Sequence, residues 1–477
     1  MHISALICPI QARPEDIRRL AYTDPRLFPV LFDSSTRGAL GRYSILAAYP
    51  QAALWQDEQG RLRHEGLAPD PATGLGFLDA LERLWLDESL PLQPAAAGGE
   101  ALSMPFQGGW IVYLGYELAA QIEPRLLLPQ AQGADAAPGA LALRVPAALI
   151  YDHVLDRAWS IVEPGFEALH GRLRADLALV TRTASLPSPL AAVLDPLQLE
   201  EEDPQRFCTM VEAALEHIRA GDVYQVNLSR CWRARLSRSA GAIDLQAATA
   251  TLYERLRRLN PAPFAALLQF QGWRLLCSSP ERLVRVQERR VETRPIAGTR
   301  ARSGVDGEDL RELSALIAHP KERAEHIMLV DLERNDLGRV CRAGSVRADV
   351  LMCTESYAHV HHIVSNVCGL LNDGISPLAV LRAVFPGGTI TGCPKFRCMQ
   401  IIAEIEGVAR GAYTGALGYI NREGSMDFNI LIRSMSMHVG ALAFRAGAGI
   451  VADSDWQVEL QETRAKARGL IAALQCP

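Results

Sequence analysis

The chain has 477 residues, with 49 Lys+Arg against 54 Asp+Glu, a formal net charge of −5 and 49% hydrophobic residues. That composition excludes wholesale disorder, and the slightly acidic balance argues against a partner gripped through the overall field, so no nucleic acid is expected. The length suits two or three structural units, or one large intertwined body.

Met1–Ile10 carries a short apolar run with no basic residue before it, and Arg13, Glu15, Asp16 and Arg18 stand where a cleavage site would be. It does not read as a signal peptide. No segment approaches the roughly 18–20 uninterrupted apolar residues of a bilayer span. The ten cysteines sit singly, as at Cys8, Cys208, Cys231, Cys277, Cys341, Cys353 and Cys368, with no C-x-x-C pair to make a Cys-rich zinc site. The expectation is a soluble, cytoplasmic protein with reduced thiols and no membrane partner.

Residues 92–100 and 130–139 are small and turn-rich, and 184–204, with Pro187, Pro189 and Pro196, reads as a linker between two halves, 1–190 and 205–477. The N-terminal half mixes a helix over Thr73–Leu86 with strands at Ala140–Val145 and Ala147–Val154. The C-terminal half opens on an amphipathic helix, in which Phe207, Val211, Ala214, Leu215 and Ile218 recur at helical spacing and Gly221 supplies the stop. Strands are predicted at Val223–Leu228, Phe264–Phe270, Trp273–Cys277, Leu283–Val286, Leu417–Ile420 and Phe428–Ser434, and helices at Asp309–His319, Lys321–Arg334, Phe396–Glu406 and Trp456–Leu474. Strands joined by tight turns, with helices in blocks, indicate an α+β fold with antiparallel sheets.

Two helices each carry glutamates three apart: Glu322 and Glu325, then Glu459 and Glu462. Residues at i and i+3 share a face, and two such faces together would make an oxygen-rich pocket suited to Mg²⁺; a single pair is ordinarily solvated helix surface. Phe385–Lys395 is a glycine-rich turn able to offer backbone N–H groups to an anion, without P-loop spacing. Ala446-Gly-Ala-Gly449 lacks the third glycine of a dinucleotide fingerprint. Tight packing is the plainer reading of both glycine clusters. Glu281 follows a strand end, where a desolvated carboxyl can act as a general acid or simply pair with Arg282. Arg433, in a mostly apolar strand, calls for an anionic partner, structural or ligand. His361 and His362 could ligate a metal but fit a core equally well.

Ser279-Pro-Glu-Arg, Arg294-Pro-Ile-Ala-Gly-Thr, Lys321–Asp336, Gly392-Cys-Pro-Lys and Gly447–Ser454 together resemble the signatures of the chorismate-utilising enzymes. That family includes component I of anthranilate synthase and of aminodeoxychorismate synthase, and the isochorismate and salicylate synthases. The resemblance covers 205–475 strongly, and Gly41-Arg-Tyr-Ser and Pro105–Trp110 with Leu114–Glu117 extend it into the first half. It implies two antiparallel β-sheets packed face to face with helices outside. It implies that Glu325 and Glu462 hold Mg²⁺, with Glu322 and Glu459 adjoining. It implies that Glu281 protonates the departing C4 hydroxyl of chorismate. By the same resemblance Arg433 and Tyr413, with the backbone around Gly447 and Gly449, would hold the enolpyruvyl carboxylate, with Thr391 in the substrate-binding turn, and Lys466, Thr299 and His362 would line the ring side.

Water-adding members resemble one another in carrying a lysine where this chain has Gln225, and a glutamine amide takes no proton near neutrality. The resemblance therefore points to the ammonia-using branch. Phe385–Gly392, Pro105–Gly109 and Gly424–Arg433 look like the aminodeoxychorismate type, which serves 4-aminobenzoate and folate synthesis. Ala297, where many of that type have a lysine that adds at C2, looks like the anthranilate type of tryptophan synthesis. Three segments against one residue favour 4-amino-4-deoxychorismate as product. No glutaminase signature is present, so the resemblance implies a separate glutamine amidotransferase subunit. Leu31-Phe-Asp-Ser-Ser matches a segment near which some relatives bind tryptophan.

Overall fold

Period-two alternation of buried apolar side chains runs through long stretches of this chain and builds two sheets. The computed structural model describes residues 5–36, 40–67, 74–91, 104–130, 137–182, 199–236, 245–301, 320–356 and 360–475, with backbone course alone at 297–301, 320–321, 356 and 360–362. The predicted helix Asp309–His319, the turn-rich stretch 92–100, most of the predicted loop 130–139 and most of the linker 184–204 lie outside these residues.

Among the described residues there are two antiparallel sheets, one of twelve strands and one of eleven. The first runs Leu6–Ile10, Arg157–Val162, Ala147–Asp152, Tyr43–Ala48, Val30–Asp33, Phe264–Phe270, Trp273–Ser279, Ser434–His438, Ala441–Ile450, Gln225–Arg235 and Glu200–Glu201, with Gly392–Cys393 paired to Gln225–Arg235. The second runs Ile296–Ala301, Val360–Leu370, Arg290–Thr293, Arg282–Gln287, Met426–Ile430, Ala416–Asn421, Gly109–Leu114, Ala140–Val145, Ala52–Gln56 and Leu62–Glu65, with Arg347–Ser356 beside Val360–Leu370. Both sheets draw strands from either side of the predicted linker. The expected pair of packed sheets with helices outside is what forms.

The inner faces meet in a core of Ile45, Ile150, Trp273 and Leu275 from one sheet against Ile111, Tyr113, Leu141 and Leu417 from the other. On the outer faces, helix Phe77–Glu88 and helix Pro377–Val384 cover the second sheet, while Pro14–Ala21, Leu245–Leu259 and Trp456–Gln475 cover the first. Pro204–Arg219 begins where Asp203 accepts a hydrogen bond from the Gln205 N–H at 2.9 Å, an N-cap followed by proline. It packs with Lys395–Glu406 on Val226, Leu228, Ala448 and Ile450.

One expectation fails in an instructive way. The predicted strand Phe428–Ser434 is two strands, Met426–Ile430 in the second sheet and Ser434–His438 in the first. Apolar content alone concealed the break, because Leu431 and Ile432 stay packed while the chain passes between sheets.

Asn429 fastens the sheets at this point. Its Nδ2 donates to the Phe264 carbonyl at 3.1 Å in one sheet, and its Oδ1 accepts from the Leu417 N–H at 3.1 Å in the other. Truncation leaves the Leu417 N–H without this acceptor and the Phe264 carbonyl with the weaker Cys277 Sγ donor at 3.6 Å, so Asn429→Ala should lose about 1–3 kcal/mol in urea unfolding. An unchanged midpoint would show that the tie contributes nothing.

Candidate active site

The chain changes sheets at Pro280–Glu281 and again at Leu431–Arg433, and the two crossings lie side by side. The Ile430 N–H donates to the Glu281 carbonyl at 3.0 Å, the Ser278 N–H to the Arg433 carbonyl at 3.1 Å, and Ser279 Oγ to the Ile430 carbonyl at 2.6 Å. Arg433 adopts φ of +49°, a left-handed backbone that a non-glycine residue rarely keeps without surrounding constraint. An acid and a guanidinium are thereby fixed together without either belonging to a strand.

Glu281 is 5% exposed. Burial pushes its carboxyl up to about 7, against the Thr389 hydroxyl, the Ile296 N–H, Lys466 and Arg433, which all favour the charged form. Thr389 Oγ1 donates to Glu281 Oε1 at 2.7 Å. Burial also pulls the Arg433 guanidinium below its ordinary value, with Glu281 opposing. Arg282, the bland partner for Glu281 in the sequence, is committed elsewhere, to Asp427 at 2.8 Å.

Beside this pair lies one face of two strands. Gln225, Asn227 and Ser229 alternate on Gln225–Arg235, and Arg445, Gly447 and Gly449 alternate on its neighbour, with Asn227 opposite Gly449 and Ser229 opposite Gly447. A methyl on Gly447 would come within 2.6 Å of the Tyr413 hydroxyl, 2.6 Å of the Leu228 carbonyl and 2.7 Å of Asn227 Oδ1; one on Gly449 would strike the Gln225 amide. Burial pushes the Tyr413 hydroxyl up to about 12, so it is a neutral donor. Lys466 Nζ, on helix Trp456–Gln475, donates to the Gly447 carbonyl at 3.0 Å and pairs with Glu462 Oε1 at 2.7 Å.

A buried ionic cluster holds this face. Glu406 Oε1 accepts from the N–H of Ser229 at 2.8 Å and from its hydroxyl at 2.9 Å. Arg410 donates to both Glu406 oxygens, at 2.6 and 3.0 Å, and to the Asn227 carbonyl at 2.6 Å. Arg445 reaches Glu406 Oε2 at 3.3 Å and Ser229 Oγ at 3.0 Å. Burial alone would raise the Glu406 carboxyl, but Arg410 and Arg445 outweigh it and hold it below the ordinary value. From the N-terminal half, Glu117 accepts from the N–H groups of Arg410 and Gly411 at 2.6 and 3.1 Å.

The sequence-derived residues distribute unevenly. Glu281, Arg433 and Lys466 come together by mutual electrostatic influence, and Gln225, Tyr413, Gly447 and Gly449 by contact. The Thr391 hydroxyl is spent on the Gly387 and Gly388 carbonyls at 2.9 and 3.3 Å, so the threonine that meets Glu281 is Thr389. Lys395 is tied to Asp336 at 2.5 Å and to the Val384 carbonyl at 3.0 Å. The side chains of Ala297, Thr299 and His362 lie outside the described residues; their backbones stand on paired strands, Thr299 opposite His362.

Glu322 and Glu325 are half-buried on helix Pro320–Gly338, Glu459 is buried and accepts from Ser454 Oγ at 2.7 Å, and Glu462 is exposed beside Lys466. Four carboxylates are the donor set that suits Mg²⁺. Among the described residues, however, no three Asp, Glu, His or Cys side chains close into a metal cage.

Thr389, Asn227 and the Glu406–Arg410–Arg445 cluster were not singled out from sequence. The signal for Asn227 was present, two residues from Gln225 on one strand; Thr389 stood inside the glycine-rich turn. The cluster gave none, because Glu406 and Arg410, four residues apart, look like an ordinary ion pair, and Arg445 joins them from 39 residues beyond Glu406. A further cavity of about 490 Å³ lies behind Tyr413, lined also by Arg410, Ser434, Ser436 and Arg445.

The family model of the chorismate binding enzymes matches residues 49–472, nearly the whole chain. This chain belongs to that family. It is 37% identical over 441 residues to the anthranilate synthase component I-like protein of Synechocystis, covering 91% of this chain and 83% of that one. It is 40% identical over 380 residues to aminodeoxychorismate synthase component 1 of Bacillus subtilis, covering 78% and 77%. Its fold is similar to the crystal structure of anthranilate synthase component I from Streptococcus pneumoniae, with a TM-score of 0.75, 30% identity and coverage of 91% and 93%. The chain is therefore a chorismate-utilising enzyme with the α+β architecture of that family. No helix among the described residues is long and apolar enough to cross a membrane.

The crowding around Gly447 yields a direct expectation. Gly447→Ala should weaken chorismate binding about tenfold or more in calorimetric titration, since the methyl displaces Tyr413 or Asn227. Affinity within about twofold of wild type would remove the glycine face from the site.

Proposed function

We propose that this enzyme aminates chorismate to 4-amino-4-deoxychorismate, with ammonia delivered by a separate glutamine amidotransferase subunit and with Mg²⁺ as cofactor. The observation that carries the reading is Glu281, a buried carboxyl pushed up to about 7 and aligned by Thr389 beside Arg433. Near neutrality it retains a proton to give to a leaving hydroxyl, while Arg433 offers the charge that a carboxylate substrate needs. The Tyr413 hydroxyl provides a neutral donor, and the strand bare of side chains at Gly447 and Gly449 provides backbone approach, for the enolpyruvyl carboxylate.

Glu322, Glu325, Glu459 and Glu462 are the residues that would hold Mg²⁺, their all-oxygen chemistry fitting it. When bound, such an ion draws charge from the ring carboxylate. Gln225 supports ammonia over water as nucleophile, because an amide cannot take a proton from water. A second product, anthranilate, is favoured by Ala297 and by the names of several relatives. The glycine-rich turn Phe385–Gly392 and the segment Gly424–Arg433 support the first.

Incubating the chain with chorismate, Mg²⁺ and an ammonium salt, then identifying the product, tests this. 4-Amino-4-deoxychorismate is expected; anthranilate would replace the product, and isochorismate would overturn the reading of Gln225. Glu325→Gln and Glu462→Gln should each lose Mg²⁺-dependent turnover, and wild-type rates in both would dismiss the metal assignment.

The sign of the pH effect follows from Glu281. Its folded-state value is raised, so the proton is held below about 7 and lost above. At fixed free ammonia, kcat should fall as pH rises through about 7. Glu281→Gln should lower kcat about 10²-fold or more and abolish that limb, with chorismate affinity largely kept. An unaltered limb in the variant would assign the acid elsewhere.

A further inference from the structure

We infer that Glu333 returns a proton to Glu281 after each turnover, drawing it through Asp336 from a solvent-filled cavity outside the substrate site. The inference rests on Glu281 being the acid, and it holds for any nucleophile that displaces the C4 hydroxyl.

A buried acid that has given up its proton must be recharged. Glu281 is 5% exposed, so bulk water does not meet it freely. Its proton goes to the departing hydroxyl, which leaves as water, while the adding nucleophile sheds its own surplus proton to solvent. The cycle closes only when Glu281 takes one proton back.

Two segments each meet both carboxyls and so set them side by side. Gly388 packs on Glu333, where a methyl would stand 3.2 Å from Oε1, and the next residue, Thr389, donates to Glu281 Oε1 at 2.7 Å. On the other segment the Thr293 hydroxyl meets Glu333, and the Ile296 N–H meets Glu281. Glu333 is itself 5% exposed. Burial and Asp336 hold its carboxyl above the ordinary value, with Glu281 adding to them and Lys395 and the Thr293 hydroxyl opposing. Near neutrality it therefore has a proton to pass on.

The route outward runs along the same helix. Asp336 stands at i+3 from Glu333 on Pro320–Gly338, so the two share a face. Burial raises the Asp336 carboxyl too, against Lys395 and Arg339. Lys395 Nζ holds it at 2.5 Å. Asp336 lines a cavity of about 500 Å³ with Asp331, Asn335, Arg339 and Lys395, and none of the candidate substrate-binding residues lines it. Asp331, Asn335 and Arg339 are exposed, so solvent enters there. From that cavity the proton passes by Asp336, Glu333 and the Thr389 hydroxyl to Glu281. A hydroxyl donates and accepts at once, so Thr389 hands on a proton without holding a charge. Glu333 acts through Glu281 and not on the substrate.

Single-turnover and steady-state rates of chorismate consumption separate the first proton from its replacement. Glu333→Gln keeps the shape of the protonated acid but cannot pass its proton on. With Mg²⁺ and an ammonium salt near neutrality, it should complete a first turnover within about twofold of wild type, while steady-state kcat falls about tenfold or more. That slowed rate should show a larger solvent deuterium isotope effect than wild type, and Glu333→Asp should recover part of the lost rate. Glu333→Leu serves if Glu333→Gln does not fold. Equal losses in both rates would make Glu333 a packing residue, and a steady-state loss without the isotope effect would move the slow step to product release. Either overturns the inference, as do unchanged rates. Glu281→Gln fails differently: a first turnover at the wild-type rate in that variant would remove the acid reading itself.

Discussion

Two antiparallel sheets packed face to face must be joined by chain that leaves one hydrogen-bonding ladder and enters the other. Here two such crossings are laced together, backbone to backbone, at Ser278–Glu281 and Ile430–Arg433. Residues in a crossing are free of strand alternation, so their side chains need not choose between core and solvent. That freedom is what allows a carboxyl and a guanidinium to share a desolvated corner, and desolvation is the cause that sets the proton affinity of Glu281.

The rest of the site is held by charge buried deeper still. Glu406, Arg410 and Arg445 form a cluster in which the carboxylate also receives the N–H and hydroxyl of Ser229. Breaking such a cluster by removing one member costs about 3–5 kcal/mol, which makes it a rigid frame rather than a source of net stability. Through Arg410 the frame reaches Asn227, and through Glu117 it reaches the N-terminal half. Strands from that half complete both sheets, so the site is a product of the whole body.

Much of the fold was legible because its elements are strongly patterned. Phe264–Phe270 and the helices beginning at Pro204 and Trp456 follow their apolar spacing almost to the residue. Arg433 was legible as a charge needing a partner but not as a crossing, since Leu431 and Ile432 extend the apolar run through the break. Glu281 was legible as a candidate acid from its place after a strand end, whereas its alignment by Thr389 depends on a contact 108 residues away. Thr391, two residues on, carries the same chemistry but turns its hydroxyl onto its own turn. Local sequence cannot tell those two threonines apart; only the path of the turn does.

A structure of the chain with chorismate bound addresses the central claim most directly. The account requires the ring to lie with its C4 hydroxyl toward Glu281 and a carboxylate on Arg433, against the strand bare of side chains at Gly447 and Gly449. Chorismate seated instead in the cavity lined by Arg410, Ser434 and Arg445, with Glu281 untouched, would contradict it.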